Sequence, residues 1–144
     1  LLKTISNKYG SSSTVACVDL KKTFFRTNSV YINNGKKRVN SKILDYVLRI
    51  QDNGAGEIIL QSINRDGTYK GYDLDLIESI TDKLEIPLVV AGGAGKFQDF
   101  RNAIQSGASA VAAGSLFSFK GTHKAVLINY PTRSKLIKEL YETK

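Results

Sequence analysis

The sequence is poor in the residues on which several common kinds of functional site depend. It has one cysteine, Cys17, and one histidine, His123. A single cysteine excludes an internal disulfide, and its place in the apolar stretch 15–20 predicts a buried strand residue rather than a reactive thiol. His123 stands in a polar, turn-like stretch and is interpreted as a surface residue, which argues against histidine triads and histidine-rich metal sites. We therefore predict neither a metal site nor a bound cofactor.

Long apolar runs are also missing. No stretch approaches the roughly 18 residues that a membrane-spanning helix needs, and no signal-peptide pattern opens the sequence. The expected protein is soluble and cytoplasmic, without a membrane partner. Because the sequence begins with Leu1, already inside a helical pattern, we expect a fragment or a processed product.

The charge is one-sided, with a formal net charge of +8. Such an excess fits a nucleic acid, an acidic partner or an anionic small substrate, and its simplest alternative is a solvated surface. The basic residues are scattered, and no basic run has interleaved aromatic residues, so nucleic acid is not expected. The length of 144 residues and the hydrophobic content of 42% suit one globular domain.

Apolar runs without alternation, typical of strands buried in a parallel sheet, take turns with amphipathic helical patterns. Strands are predicted at 14–20, 57–63, 87–91 and 109–113. Helices are predicted at 1–8, from a cap at Asn40 or Ser41 to 52, at 73–84, 97–105 and 132–142. The turn signal Asn33-Asn34-Gly35 predicts a β-hairpin within 22–39, directly after the first strand.

The strand and helix pattern also repeats. A helix-ending Gly-Ala followed by a buried strand occurs at 53–60 and again at 106–113, 53 residues later. This alternation predicts a parallel α/β sheet of four βα units. A closed (β/α)8 barrel needs eight strands and roughly 250 residues, so the predicted fold is half of a TIM barrel with a hairpin insertion.

Two of the predicted strands end in glycines, at Gly92-Gly93-Ala94-Gly95 and at Gly114-Ser115. Glycine lets the backbone approach a ligand closely and leaves amide N–H groups free at the start of the next helix. Adjacent strands with such ends can hold one phosphate between their loops. The alternative is that the glycines only make tight turns; the pair together favours phosphate.

Five motifs in order and at matching spacing make nearly the whole chain resemble the C-terminal half of HisF, the cyclase subunit of imidazole glycerol phosphate synthase. They are Val18-Asp19, Gly54-Ala55-Gly56-Glu57-Ile58-Ile59-Leu60, Arg65-Asp66-Gly67-Thr68 with Gly71-Tyr72-Asp73, Gly92-Gly93-Ala94-Gly95-Lys96, and Gly114-Ser115-Leu116-Phe117.

This resemblance implies an ammonia-using lyase of histidine biosynthesis. In that family, a partner glutamine amidotransferase, HisH, releases ammonia, which passes through the barrel to a bis-phosphorylated ribulosyl nucleotide precursor. The products are imidazole glycerol phosphate and an aminoimidazole carboxamide ribotide. The other catalytic aspartate and the second phosphate site of the family belong to the other half of the barrel, so this chain alone should be inactive.

The resemblance also implies roles for individual residues. Asp19 matches the general acid/base carboxylate, and Asp66 a second catalytic or substrate-contacting carboxylate. Glu57 matches a charged residue at the ammonia entrance, although a surface charge at the start of a strand is its simpler interpretation. The substrate and phosphate contacts fall on Gly67, Thr68, Gly92, Gly93, Gly114 and Ser115.

The sequence departs from the family pattern at three positions. Asn64 stands where the family usually has an aspartate, Gln61 replaces a smaller hydroxyl residue, and Ala91 replaces a serine. In addition, residues 125–131 resemble paralogues of surface-polysaccharide biosynthesis that use glutamine-derived ammonia to make an acetamidino sugar. Two alternatives therefore stay open: an amidine synthase subunit and a non-catalytic phosphate-binding half-barrel that serves assembly.

Assembly is expected from geometry. Four parallel strands that are apolar on both faces would leave the barrel interior and two sheet edges uncovered. We expect the chain to pair with an N-terminal half-barrel or with a second copy of itself. The hairpin could instead cover one edge and permit a monomer.

Overall fold

The computed structural model describes residues 1–23, 27–121, 123 and 125–140. Its central element is a six-stranded sheet with the strand order β3-β2-β1-β4-β5-β6. The strands are β1 (Val15–Lys22), β2 (Asn28–Ile32), β3 (Lys37–Arg38), β4 (Glu57–Ser62), β5 (Leu88–Ala91) and β6 (Ala110–Ala112). Strands β1, β4, β5 and β6 are parallel, whereas β2 and β3 form an antiparallel hairpin at the β1 edge.

Helices alternate with the parallel strands, as the sequence predicts for βα units. They are α1 (Leu2–Tyr9), α2 (Ile43–Asp52), α3 (Leu74–Thr81), α4 (Phe97–Gln105), the single turn α5 (Ser115–Ser118) and α6 (Arg133–Leu140), with a 3-10 turn at Ser11–Ser13. The expected cap of α2 at Asn40 or Ser41 is wrong: Lys42 occupies the N-cap position, and the Ser41 hydroxyl donates instead to the Lys42 carbonyl. No helix among these residues is long and apolar enough to cross a membrane.

One face of the sheet packs against α2, α3 and α4 and forms the core. Along each parallel strand, every second side chain points into this core, because successive side chains of a strand alternate between the two faces. The fully or almost fully buried side chains include Val18, Leu20, Val30, Ile58, Leu60, Leu88 and Val90 from the sheet, and Val47, Ile77, Ile80, Phe100 and Ala103 from the helices. The parallel order and this helical layer are consistent with half of a (β/α)8 barrel.

The opposite face of the sheet, which we call the open face, carries the alternate residues of the same strands. Its exposed members include Val15, Cys17, Ala110 and Ala112. The predicted burial of Cys17 is therefore wrong, because an apolar strand does not reveal which of its two faces the helices cover. His123 is exposed, as expected.

The predicted hairpin is confirmed, with its turn at Asn33-Asn34-Gly35 in the left-handed region. Strand β2 pairs with β1 only from Asp19 to Lys22. The hairpin therefore covers the carboxyl half of the β1 edge, and no pairing is formed there by Val15 to Val18 within the part of the chain that the structure describes.

The C-terminal part forms a small antiparallel sheet of β7 (Phe119–Lys120) and β8 (Ala125–Val126), followed by α6, which lies against α4. Several apolar side chains of this segment are exposed, among them Val126, Leu127, Ile128 and Tyr130.

The two faces of β1 predict different costs for the same substitution. Val18 is 2% exposed in the core and Val15 is 51% exposed on the open face. Val18→Ala should lower the free energy of unfolding by about 2 kcal/mol, because it removes buried methyl groups and leaves a cavity. Val15→Ala, the matched control, should change it by less than about 0.5 kcal/mol. Urea denaturation of both variants checks this, and equal losses would contradict the assignment of the faces.

Candidate functional site at the carboxyl ends of the parallel strands

The carboxyl ends of the four parallel strands bring one row of side chains to the open face. Asp19 pairs in register with Gln61, Gln61 with Ala91, and Ala91 with Ala112. At a strand spacing of about 4.8 Å, this row spans about 14 Å from Asp19 to Ala112. Asp19, the predicted acid/base residue, is half-buried and lies at one end of the parallel part of the row. In (β/α) folds, the catalytic residues lie at this edge of the sheet.

The loop after β4 lies directly against the glycine-rich loop after β5. The Gly71 amide donates to the Gly93 carbonyl at 2.8 Å. A Cβ on Gly93 would come within 2.3 Å of the Gly71 carbonyl oxygen, and one on Gly92 within 2.6 Å of the Ser62 carbonyl oxygen. Both glycines also have positive φ, so backbone packing and conformation already require glycine at these two positions.

The third loop, after β6, joins the same cluster. The Tyr69 hydroxyl donates to the Ser115 carbonyl at 3.2 Å, and a Cβ on Gly67 would lie 3.7 Å from Ser115 Oγ. A Cβ on Gly114 would meet nothing within 4 Å, and its φ of −104° suits any residue. The structure thus brings Gly67 close to Ser115 and packs Gly93 against Gly71, while a Cβ on Gly114 would face open space.

The N-terminus of α4 is already occupied by a carboxylate of the chain itself. Asp99, which is buried, accepts hydrogen bonds on Oδ2 from the Gly95 amide at 2.8 Å and the Lys96 amide at 3.0 Å. The expectation that this glycine loop leaves its amides free at the start of the helix is therefore wrong for Gly95 and Lys96. Asp99 is the reason, and it also anchors the loop to α4.

The hairpin is tied to the loop after β4 by a charged cluster that the sequence did not reveal. Asp73 Oδ2 lies 3.6 Å from Lys22 Nζ and 3.5 Å from Arg65 Nε, and it accepts a hydrogen bond from Asn28 Nδ2 at 3.1 Å. The sequence placed Asp73 at a helix N-terminus and in the Gly71-Tyr72-Asp73 motif, but gave it no partner. The paired lysines at the end of β1 were the available signal, but the partner lies about 50 residues away in the chain.

Two polar positions of the motif after β4 have local partners. Asn64 Oδ1 accepts a hydrogen bond from the Lys22 amide at 2.5 Å, and this bond fastens the loop to the end of β1. Thr68 Oγ1 donates to the Arg65 carbonyl at 2.6 Å within its own turn. Asp66 is exposed in this turn. Asn64 and Thr68 therefore hold the loop, and the Asp66 carboxylate projects from it into solvent.

Glu57 lies at the other end of the strands. It begins β4, pairs in register with Val15, and shares the open face with Gln61. Gln61 comes four residues after Glu57, which is about 13 Å along the strand. The structure therefore does not bring Glu57 to the edge that carries Asp19.

Cys17 and Asp19 are neighbours on the open face, two residues apart on β1. Although Cys17 is exposed, partial burial of its thiol raises the thiol pKa, and the negative charge of Asp19 raises this pKa further. Both effects disfavour the thiolate. Cys17 is therefore accessible but poorly nucleophilic at neutral pH.

A cleft of about 390 Å³ borders the site on its outer side. It shares Tyr69 and Gly95 with the site, but its other walls come from Phe97, Phe117, Leu127 and Lys135. None of the described residues that line it is a carboxylate. Among the described residues, no group of three or more histidine, cysteine, aspartate and glutamate side chains could hold a metal ion.

A parallel α/β sheet with a carboxylate and glycine-rich loops at its carboxyl edge is the arrangement of TIM-barrel-type proteins. Comparison with known proteins gives the family. Residues 1–124 match the family described as "Histidine biosynthesis protein", a family of the TIM-barrel type, and the chain belongs to it.

Individual relatives agree. The chain is 47% identical over 133 residues to the "Putative imidazole glycerol phosphate synthase subunit HisF" of Leptospira borgpetersenii, covering 91% of this chain and 52% of the relative. It is 42% identical to the "Putative imidazole glycerol phosphate synthase subunit hisF2" of Pseudomonas aeruginosa, covering 94% and 55%. It is 38% identical to the "Imidazole glycerol phosphate synthase subunit HisF" of Pyrobaculum aerophilum, covering 83% and 47%. The chain thus spans about half the length of the curated relatives it matches.

The electrostatic effect of Asp19 on Cys17 leads to a prediction about thiol reactivity. Asp19→Asn removes the charge that helps to raise the Cys17 pKa, so the thiolate fraction at neutral pH should increase. Alkylation by iodoacetamide should become severalfold faster at pH 7.5, with its pH profile shifted to lower pH. Asp45→Asn, on the exposed first turn of α2, should leave the profile unchanged. An unshifted profile in Asp19→Asn would mean that the two side chains do not interact.

Proposed function

We propose that residues 1–144 are the C-terminal half of a HisF-like barrel that uses ammonia to form imidazole glycerol phosphate and aminoimidazole carboxamide ribotide. The observation that carries this proposal is the position of Asp19, which lies on the open face at the strand edge where the three glycine-containing loops meet. The family membership and the half-length match to relatives named as HisF subunits support it.

In this proposal Asp19 acts as the general acid and base. Ammonia addition and ring closure both require proton transfers at positioned groups, and a carboxylate at a strand end can supply them. Asp66 projects from the neighbouring loop and contributes a second carboxylate to the substrate. The remaining acid/base group comes from the other half of the barrel, so the isolated chain is inactive as a lyase.

The substrate phosphate is held by the loops after β4, β5 and β6. Gly67, Gly92, Gly93 and Ser115 form the packed wall of this site, and Thr68 stabilises the turn that carries Gly67. Gly114 supports the assignment most directly, because nothing in the described fold requires glycine there and open space lies beside it. Ligand access gives a reason for a glycine that packing does not explain.

Ammonia would reach this edge from the opposite end of the strands. Glu57 stands at that end on the open face, which becomes the barrel interior when a second half completes the sheet. A glutamine amidotransferase subunit similar to HisH is the proposed ammonia source, and we place the activity in the cytoplasm with other biosynthetic enzymes. In this proposal an N-terminal half completes the barrel or, in its absence, a second copy of the chain does.

A second candidate is the HisF-like subunit of an ammonia-using amidine synthase in surface-polysaccharide biosynthesis. The observation in its favour is Asn64, which stands where the family usually has an aspartate and cannot transfer a proton; its side chain is engaged with the Lys22 amide. Relatives with the numbered names hisF2 and hisF3 occur in Pseudomonas aeruginosa and Vibrio vulnificus. The third candidate, a non-catalytic phosphate-binding module for assembly, rests only on the half length.

Phosphate binding can be tested at Gly114 without disturbing the fold. Gly114→Ala keeps the fold, because its Cβ meets no protein atom, and should weaken binding of ribose 5-phosphate a few-fold, because the Cβ takes space that the ligand would use. Gly114→Asp places a negative charge in the same position and should weaken binding at least about tenfold by repulsion. Calorimetric titration measures both. Gly93→Asp is unsuitable, because any side chain there meets the Gly71 backbone. Unchanged affinity in Gly114→Asp would remove Gly114 from the site.

Catalysis can be tested after the chain is combined with a matching N-terminal half and its assembly is confirmed by sedimentation equilibrium. Asp19→Asn should reduce ammonia-dependent turnover at least about a hundredfold while the complex still forms, because the amide keeps the shape but cannot transfer a proton. Asp45→Asn serves as the control for charge. Activity of the Asp19→Asn complex at the wild-type rate would refute its role. If the wild-type complex turns over neither family substrate, both enzymatic candidates are refuted and the non-catalytic phosphate-binding module is the candidate that stands.

A further inference from the structure

The row of side chains that contains Asp19 does not end at β1. In the hairpin, Asp19 pairs in register with Tyr31 on β2, and Tyr31 pairs with Arg38 on β3. Residues directly opposite each other in an antiparallel pair point to the same face of the sheet. Tyr31 and Arg38 therefore stand on the open face, and the row continues from Ala112 through Asp19 to the outer strand of the hairpin.

At the hairpin end of this row, an aromatic side chain lies between two basic side chains. Lys21 also points to the open face, and its Nζ lies 5.6 Å from the centre of the Tyr31 ring. Arg38 is exposed on the other side of Tyr31. We call Lys21, Tyr31 and Arg38 the hairpin wall. It combines an aromatic ring with two cations directly beside the candidate acid/base carboxylate, and the residue roles above leave it without a function.

The hairpin wall is held in place by contacts on its other side. Asn28 donates to Asp73, which also attracts Lys22, and a Cβ on Gly35 would lie only 3.1 Å from Ile63 Cδ1. The base and the tip of the hairpin thus both rest on the loop after β4. A binding surface whose support is fixed in this way needs little ordering when a ligand arrives.

We propose that the hairpin wall binds the planar ring of a nucleotide-like substrate, with the ring stacked on Tyr31 beside Asp19 and with Arg38 contacting its polar edge. This inference rests on the proposed function, whose phosphate site lies in the loops that follow β4, β5 and β6. Aromatic side chains stack on heterocyclic rings, and guanidinium groups add electrostatic attraction to such sites. The hairpin therefore selects ring-bearing substrates, while the glycine loops recognise the phosphate alone.

Titration with two phosphate compounds distinguishes recognition of the ring from recognition of the phosphate. The probes are aminoimidazole carboxamide ribotide, which carries a planar ring, and ribose 5-phosphate, which lacks it. Wild-type protein should bind the ribotide about tenfold more tightly, the factor that one stacked ring supplies. Tyr31→Leu and Arg38→Gln should each remove most of this difference and leave the affinity for ribose 5-phosphate unchanged. Tyr31→Phe should retain it.

The chain offers a matched control for each substitution. Lys37 is the neighbour of Arg38 on β3 and points to the opposite face, so Lys37→Gln removes the same charge from outside the wall. On α2, the centre of the Tyr46 ring lies 5.1 Å from Arg49 Cζ, so Tyr46→Leu removes another tyrosine beside a cation. Both controls should bind the two phosphates as the wild type does. Circular dichroism confirms that each variant is folded.

Three results would overturn the inference: equal wild-type affinity for the two probes, full ribotide affinity in Tyr31→Leu, or an equal loss in Lys37→Gln and Arg38→Gln. Amide shifts of the wild-type protein on ribotide binding provide a test without variants, and unshifted Tyr31 and Arg38 signals would also contradict it. A different result would contradict the phosphate site of the proposed function. If Gly114→Asp leaves ribose 5-phosphate binding intact while the ring preference depends on Tyr31, the phosphate site is wrong and the hairpin wall stands.

Discussion

The position of the candidate acid/base residue, and of the row of side chains beside it, depends on the alternation of side chains along β1 and on its register with β4. Val18 and Leu20 are buried against the helices, so Asp19 and Cys17 must point to the other face. A shift by one residue would exchange the two sets and bury a carboxylate in an apolar core. The burial of Ile58 and Leu60 on the neighbouring strand fixes the same choice for Gln61. Core packing thus positions the candidate acid/base residue without any direct contact to it.

Much of the fold could be predicted from local pattern, because strands, helices and the hairpin turn follow from apolar periodicity and from glycine and asparagine signals. Helix α4 has the predicted bounds, and Asn33-Asn34-Gly35 makes the predicted turn. The exposure of Cys17 could not be predicted, because an apolar run fits a face covered by helices and a face awaiting another partner equally well. The motifs located the strand-end loops, but they could not separate Gly93, which packing requires, from Gly114, which it does not.

The polar contacts of two aspartates, one set local and one largely long-range, were the second part that the sequence did not reveal. Asp99 and Asp73 both follow glycine-containing loops and resemble ordinary acidic residues of a first helical turn. In the structure, Asp99 holds the loop after β5, while Asp73 joins β1, the hairpin and the loop after β4. Each of these contacts satisfies the charge of a carboxylate with limited exposure, which would otherwise be costly. The loops at the strand ends are therefore supported from below by residues that need not touch a ligand.

The partial pairing of β2 with β1 also limits how the sheet can grow. Only Val15 to Val18 remain available on that edge of β1, because the hairpin occupies Asp19 to Lys22. A strand that joins there must stop level with Val18, or it would collide with β2. The hairpin thus acts as a physical stop that sets the stagger between this chain and whatever completes its sheet. In a closed barrel the stagger of neighbouring strands fixes the tilt and the diameter. A short insertion at one edge would therefore help to determine the dimensions of the whole assembly.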